Sequence, residues 1–596
     1  MSVVCLFLML QNFSTQISAD LKFEVRLKQE TKSLLPKTED AKIALLLKNQ
    51  SLQGSWSDIN YHDSSIVNWK PLAHLERTYQ IIAAAETENW NDTSKTEAIR
   101  HALDFYTSYT YPAAKCVDRR TMKLIPSPCF IQSRNWWYNH VGEGLLLGKI
   151  LLLTNDHFPD STCFRWSQHI SSTLQSITDS TIYVGGANLF WEGEALIYKA
   201  LVQHDTTLVD SVLNLFQSAS RLATPEEGIQ PDMSFNQHGF IQTGGYGIGA
   251  LEMTARWIRL TDSTSRQWPL EERRHLIDFA LDGCIPLIDH GIFDPGSIGR
   301  EISRNISHKS DAMAQILSEL SASSDGYRSK EIKEAQDFLK TGDWPWPQKR
   351  GTIYPSNYFL IYHGNGWTFS WHGCPNGKKG TELVNDENLQ GMLLPLGCYW
   401  IRNKEQDSRL FPLLDWNHLP GTTLPQDYHP PTSLFKVGNN SLPPKIECTK
   451  SKCQIDYDFD IDGISGHQNI EVQKDMIQVS GSHFHSAKGE PLFETNVDQR
   501  LVVGPVIVRD SQGRAHQLIE SDSNFSSLEC DGFIYTFPVG TEVTAQIRNI
   551  QSAWRSINKS ESSAIIKHKI LSIIIKASAY QFSISSQRQR NVSGKM

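Results

Sequence analysis

Apolar residues recur at three- and four-residue spacing through most of the chain from Glu24 to Lys340, the spacing of one buried helix face. Gly142–Leu153, Leu189–Gln203, Thr207–Leu222 and Leu270–Leu287 carry it most clearly, and each is predicted as an amphipathic helix. Pro, Gly, Asp and Ser punctuate the intervals, so the pattern reads as helical hairpins stacked in a ring or solenoid. No fixed sequence period recurs, which argues against a regular repeat protein. At Thr341-Gly-Asp-Trp-Pro-Trp-Pro-Gln348 the prolines stop the helical pattern and predict a linker over 341–352. Beyond it the pattern becomes strand-like. Tyr358–Tyr362, Gly366–Trp371, Ile446–Phe459, Ile470–Val479, Arg500–Val508, Gly532–Phe537 and Ile565–Ile575 are predicted strands joined by polar turns. The expected fold class is therefore multidomain α + β, with a helical domain over 20–340 and a large antiparallel β-sandwich over 353–582. Residues 583–596, basic from Arg588 to Lys595, are expected to be a disordered tail.

A chain of 596 residues is too long for one core, in keeping with that division. The net charge of −8 argues against a general nucleic-acid binder. It also requires any anionic ligand to be held by local positive charge. The apolar run Val3–Leu10 followed by Ser18-Ala19 predicts a signal peptide over 1–19, although a basic leader is missing; the alternative is a buried N-terminal segment. Glycosylation sequons at Asn49, Asn91, Asn305, Asn439, Asn524 and Asn558 fit a secreted protein. No later segment reaches the ~20 apolar residues of a membrane span. Of the ten cysteines, loss of Cys5 with the signal leaves nine (10 − 1), so at least one stays unpaired. Cys116/Cys129 and Cys448/Cys453 are close enough in sequence to form local disulfides. No cluster has zinc spacing, and neither a metal nor a cofactor is expected.

The segment Ser234-Phe-Asn-Gln-His238-Gly-Phe-Ile-Gln-Thr243-Gly-Gly-Tyr246-Gly247 sets a histidine eight residues before a tyrosine. Gly244, Gly245 and Gly247 predict a loop with close backbone approach to a ligand. His and Tyr together suit proton transfer; a turn with a hydrogen-bonded tyrosine is the ordinary alternative. Four further motifs accompany it. Asn135-Trp136-Trp137-Tyr138 sets three aromatics after an amide, and Gly185-Gly-Ala-Asn188 leads into a helix. Gly299-Arg300-Glu-Ile-Ser-Arg304 spaces two arginines to share one helix face. Asn385-Asp-Glu387-Asn388-Leu-Gln-Gly391 and Asp415-Trp416-Asn417-His418-Leu-Pro-Gly-Thr-Thr423 lie in the β half.

In this order the motifs resemble the polysaccharide lyase family of hyaluronate, chondroitin AC and xanthan lyases (polysaccharide lyase family 8). The resemblance runs from the Asn-Trp-Trp segment near residue 135 to Ser552-Ala-Trp554-Arg-Ser-Ile-Asn558. It implies an incomplete α/α toroid followed by a β-sandwich, or supersandwich. It also implies catalytic roles for Asn188, His238, Tyr246, Arg300 and Glu387, and substrate contacts by Asn135, Trp136, Trp137, Arg304, Asn388 and Trp416. The sequence departs from the family pattern in Tyr138-Asn139-His140, where acidic residues are usual, and in His418, where an arginine is common. Relatives usually continue into a small C-terminal β-domain, which is expected to be absent here.

Each residue also has a plain structural reading. Asn188 suits a helix N-cap, Arg300 and Arg304 suit surface ion pairs with Glu301 or Asp294, and Glu387 suits an inter-domain salt bridge. Trp136 and Trp137 suit a core, although neighbours cannot both face inward from one helical stripe, which favours a stacking platform for sugars. The function implied is a secreted, monomeric lyase acting on an anionic polysaccharide of hyaluronan or chondroitin type by β-elimination. An α/α-toroid glycoside hydrolase would need two carboxylates flanking the bond, and the matched motifs supply Glu387 alone. A glycosaminoglycan-binding protein without catalysis would have no use for the full Asn/His/Tyr/Arg set. In the lyase reading Arg300 favours the phenolate of Tyr246, Arg304 holds Tyr246 or a substrate anion, and Glu387 orients His238 or an arginine.

Overall fold

A computed structural model of the chain describes residues 22–110, 117–118, 123–124, 130–170, 185–221, 223–305, 310–374, 381–404, 406, 408–429, 442–461 and 463–587. The chain divides into two compact units. The first comprises Met1–Leu222, Gly249–Leu276 and Ala322–Asp325, and the second Ala223–Ile248, Ile277–Ser321 and Gly326–Met596. The expected signal peptide, the Cys116/Cys129 pair, the Asn439 sequon and Arg588–Lys595 lie outside the described residues.

The first unit is helical. Asp40–Asn49, Leu72–Thr87, Thr93–Tyr109, Glu143–Thr154, Asp160–Ser167, Gly186–Val202 and Thr206–Ala219 follow a first helix at 22–33. Two starts are fixed by side-chain caps, Asp92 accepting from the Ser94 N–H and Asp205 from the Leu208 N–H, which satisfies otherwise orphaned donors. The buried stripes meet in one core that includes Trp56, Ile81, Leu103, Tyr106, Leu151 and Trp166. Gly148 lets two helices close together, since a Cβ there would sit 2.6 Å from Tyr198 Cβ.

The predicted helix Leu270–Leu287 is interrupted. An α-helix at Leu270–Asp278 widens to a π-turn at Phe279–Cys284 and tightens to a 3₁₀ turn at Ile285–Leu287. Pro286, which lacks an N–H, lies in the tight turn.

The second unit contains the antiparallel sheets: four strands over 351–402, a five-stranded sheet and a nine-stranded one. Three of the expected strands prove to be two strands each. Ile446–Phe459 is a hairpin of Lys445–Cys448 and Lys452–Ile461, crossed by the Cys448–Cys453 disulfide. Ile470–Val479 spans the turn between Ile464–Gln473 and Met476–Ser486. Arg500–Val508 covers the end of Phe493–Leu501, an irregular stretch with Gly504 and Pro505, and the short strand Ile507–Arg509. In the first two cases the chain reverses within two or three residues between apolar stretches, so the strand period alone does not register the turn.

The tail expected from residue 583 begins too early. Tyr580–Ser586 is a strand pairing with Met476–Gly481 on one side and Phe533–Thr536 on the other. Buried Phe582 and Ile584 hold it there. The sequon residue Asn558 is also buried (1% exposed), its Nδ2 donating to Ser303 Oγ and its Oδ1 accepting from Ser560, so it offers no site for a glycan.

Candidate active site

Short strands Phe235–Gln237 and Phe240–Ile241 pair with Gln237 opposite Phe240, so His238 and Gly239 form a two-residue hairpin tip. Both have positive φ, 58° and 84°, the combination a type I′ turn requires. The left-handed backbone is held from below. Glu227 Oε1 accepts the His238 N–H at 2.9 Å, and the Glu226 carbonyl accepts the Gly239 N–H at 2.9 Å. Tyr246 follows on a single π-turn, Thr243–Gly247, where the sequence predicts an open loop. Its glycines are buried and serve close packing: a Cβ on Gly244 would lie 2.7 Å from Phe293 and Ile298. The hairpin and the π-turn set the His238 and Tyr246 rings 5.8 Å apart, edge to face.

Glu382, which the motifs do not single out, is the hub of the cluster. It accepts from His238 Nδ1 at 2.8 Å and from Gln242 Nε2 at 2.7 Å, and its Oε1 lies 2.6 Å from Arg300 Nη1. Arg300 Nη2 donates to the Tyr246 hydroxyl at 2.6 Å, with the guanidinium 5.3 Å from the ring centre. Arg300 is 5% exposed, so it is not the surface ion-pair residue of the ordinary reading. Asp294, its suggested partner, lies instead 3.6 Å from Arg402. The two arginines sit on a 3₁₀ turn, Gly299–Ser303, and at its end, not on one α-helical face. They converge on Glu387 all the same. Arg304 clamps that carboxylate through Nε (2.8 Å) and Nη2 (3.1 Å), while Arg300 Nε approaches it at 3.4 Å. Gly299 is needed here, since its φ is +54° and a Cβ would press within 2.3–2.6 Å of the Gln242 side chain.

Glu387 thus holds the arginines, while Glu382 takes the place expected for it beside His238. Arg304, expected on Tyr246 or a substrate anion, is engaged by Glu387 and by Glu301 at 3.2 Å. Asn388 is buried (1% exposed) and not available as a sugar contact. Its Nδ2 donates to Thr381 Oγ1 and the Glu382 carbonyl, and its N–H to Ser303 Oγ, so it anchors both the Glu382 and the Arg300 segments. Asn385, Asp386 and Asn388 all take left-handed φ, 59°, 59° and 55°, a conformation Asn and Asp tolerate well. Trp416 is likewise interior, 3% exposed with its indole N–H on the Phe411 carbonyl. The family resemblance placed it near substrate; its apolar bulk places it in the core.

In the helical unit, Asn188 is the third residue of Gly186–Val202, and Gly185 occupies the N-cap position, which removes the capping reading. Asn188 is 4% exposed, and its Oδ1 has no hydrogen-bond partner among the described residues, an expensive arrangement unless a ligand completes it. Trp136 and Trp137 are half-buried, so neither is a core residue. Asn135 turns the chain ahead of them, its side chain accepting from the Trp137 N–H and donating to the Ile66 carbonyl.

Burial is the largest influence on Tyr246 and raises its pKa; the Arg300 guanidinium opposes this without overcoming it. The phenol therefore carries its proton in the free protein, although Arg300 acts on it in the direction the sequence reading expects. Burial would also raise Glu382, but the His238 hydrogen bond and the Arg300 charge outweigh it and hold that carboxyl below its usual range. A carboxylate on Nδ1 fixes that nitrogen as the protonated one. The His238 side chain is 40% exposed, against 2% for Glu382.

Glu227 is different: burial pushes its carboxyl up to about 7, with His238 acting in the opposite direction. A carboxyl raised in the folded state stabilises the fold while protonated, and that stability is lost as pH rises from the ordinary carboxylate range through 7. Glu227→Gln keeps an acceptor for the His238 N–H and removes the titration. The loss of stability between pH 5 and pH 8 is expected to be smaller in this variant by roughly 2–3 kcal/mol. Denaturant unfolding of both proteins at the two pH values measures it, and equal losses would exclude the assignment.

Helices first and an antiparallel sandwich second, with a His–Tyr–Arg cluster over buried carboxylates, define a two-domain enzyme class. Two family descriptions match the chain: "Polysaccharide lyase family 8, N terminal alpha-helical domain" over residues 15–341, and "Polysaccharide lyase family 8, super-sandwich domain" over 349–585. The chain belongs to polysaccharide lyase family 8 and is a polysaccharide lyase of that family. Chondroitinase-AC of Pedobacter heparinus is 22% identical over 544 residues, 85% of this chain and 71% of that protein. Hyaluronate lyase of Staphylococcus aureus is 21% identical over 560 residues, 82% and 68% respectively. A chondroitinase AC lyase solved in complexes with oligosaccharides superposes with a TM-score of 0.80 at 19% identity, covering 95% of this chain and 83% of the other.

Proposed function

We propose that the chain cleaves a uronic acid-containing polysaccharide of chondroitin or hyaluronan type by β-elimination. The observation that carries this reading is the Glu382-centred cluster, which presents the His238 ring and the Arg300-bound Tyr246 hydroxyl together. The C5 proton of a uronate is alpha to a carboxylate and becomes acidic only when that negative charge is neutralised. His238, backed by Glu382, faces the carboxylate as an Nε2–H donor in its protonated form. Tyr246 removes the C5 proton, the C5–H electrons form the C4=C5 double bond, and the C4–O bond breaks. The proton then passes from Tyr246 to the departing oxygen, so no water is consumed. Since free Tyr246 is a phenol, it releases its proton to solvent as substrate binds, and Arg300 at 2.6 Å stabilises the resulting phenolate, which is then the base. Asn188 belongs to the other unit, and its proposed role as amide donor to the carboxylate is tested separately by Asn188→Ala.

The substrate reading rests on the named relatives above and on the cationic groups of the cluster. Purified protein mixed with chondroitin, hyaluronan and xanthan in turn is expected to generate the ultraviolet absorbance of an unsaturated uronate with one of the first two. New reducing ends without that absorbance would instead identify a hydrolase. Secretion, proposed from the apolar run at Val3–Leu10, is tested by the N-terminal sequence of protein recovered outside the cell.

A further inference from the structure

Strands Val543–Ser552 and Ile566–Lys576 of the five-stranded sheet pair without a break in register. Side chains at alternate positions share a face. On one face the pairs Val543–Ile575, Ala545–Ile573 and Ile547–Leu571 come first, with all but Ile547 fully buried. This is the interior face of the sandwich, since Arg500, opposite Leu571 on the neighbouring strand, reaches Tyr535 of the nine-stranded sheet at 2.6 Å. The same face then continues beyond the core as Asn549–Lys569 and Gln551–Lys567, all four exposed. It opens there into a cavity of about 590 Å³ lined also by Val502 and His568.

A sheet face that leaves its core would ordinarily end or be covered. Here it becomes a shelf of two amides and two ammonium groups. The lysines stand about 7 Å apart along one strand and the amides about 5 Å across from them. No carboxylate lines the cavity, and among the described residues none pairs with Lys567 or Lys569. The Asn549 and Gln551 side chains likewise have no hydrogen-bond partner among the described residues. On a chain of net charge −8 such a patch is a local exception.

We propose that this shelf is a non-catalytic binding site for a second stretch of an acidic polysaccharide. The ammonium groups of Lys567 and Lys569 take sugar carboxylates or sulfates, and Asn549 and Gln551 take hydroxyl groups. The shelf holds polymer on the enzyme between cleavage events. The proposal rests on the uronic acid-polymer reading above.

Its test compares the full-length protein with Lys567→Glu/Lys569→Glu and with Lys567→Gln/Lys569→Gln, all of which keep exposed side chains at exposed positions. Affinity for long hyaluronan and chondroitin chains and for mixed-sequence DNA is measured at low and high salt, and turnover is measured on the long chains and on a short oligosaccharide of the same polymer. The charge-reversed variant is expected to bind long chains about tenfold more weakly at low salt, the scale of two exposed ion pairs. The difference should shrink at high salt, with the amide variant falling between. Turnover of the short oligosaccharide is expected to stay unchanged. Unchanged affinity for the long chains would overturn the proposal. So would an equal loss of turnover on short and long substrates, or an equal weakening towards mixed-sequence DNA, which would mark an unspecific anion patch. Absence of turnover by the wild-type protein on every uronate polymer would sink the elimination reading instead, and the binding comparison would still decide the shelf.

Discussion

Tyr246→Phe is expected to lower kcat by about 10⁴-fold, the upper end of what one general acid–base group supplies, because the same hydroxyl takes the C5 proton and returns it. KM should move by no more than about twofold, since the phenyl ring and its neighbours remain and only an interaction made in the transition state is lost. Folding should survive. Arg300 keeps Glu382 at 2.6 Å and Glu387 at 3.4 Å when the hydroxyl is removed. An ultraviolet difference titration gives an independent reading: wild-type Tyr246 should contribute no tyrosinate below the ordinary phenol range, in line with its burial. A variant retaining more than about a tenth of wild-type kcat would exclude Tyr246 as the proton carrier.

Glu382→Ala should have the second largest effect, and on two quantities at once. The carboxylate is shared by His238, Arg300 and Gln242. Its removal leaves the buried Arg300 with a single, longer ion pair to Glu387. Breaking a buried pair from one side costs about 3–5 kcal/mol, visible as a lower unfolding midpoint. Turnover should fall by about 10²–10³-fold as His238 loses the partner that orients it. Glu382→Gln separates the two effects. It keeps an acceptor for His238 Nδ1 and should restore most of the stability, while kcat stays low because the negative charge behind the imidazole is gone. Equal recovery of both would show that Glu382 acts through packing alone.

The sequence carried the chemistry of the site further than its supports. His238, Tyr246 and Arg300 were legible because their segments, taken together and in order, resemble the family's motifs, and the fold brings them together. Glu382 was not. It meets His238 across a sequence separation of 144, and an isolated carboxylate in a loop has no period or spacing to mark it. Asn388 and Trp416 stood in conspicuous motifs for a different reason, being conspicuous as anchors of the backbone. Broad architecture followed from the change of period near residue 341, whereas strand ends did not. Lys474-Asp475 and Thr449–Ser451 reverse the chain within two or three residues, too few to disturb the alternation on either side.

Tyr580–Ser586 joins two groups of strands that, among the described residues, have no other pairing with each other in the nine-stranded sheet: those ending at Met476–Ser486 and those from Ile507 to Thr536. During synthesis both groups emerge before the strand between them. Each must wait with one open edge, a geometry that invites pairing with the wrong neighbour. The buried Phe582 and Ile584 then enter last, as a wedge that closes both edges in one event. Emergence of Tyr580–Ser586 is therefore the moment at which the nine-stranded sheet becomes continuous, and chaperone demand should be concentrated in the interval just before.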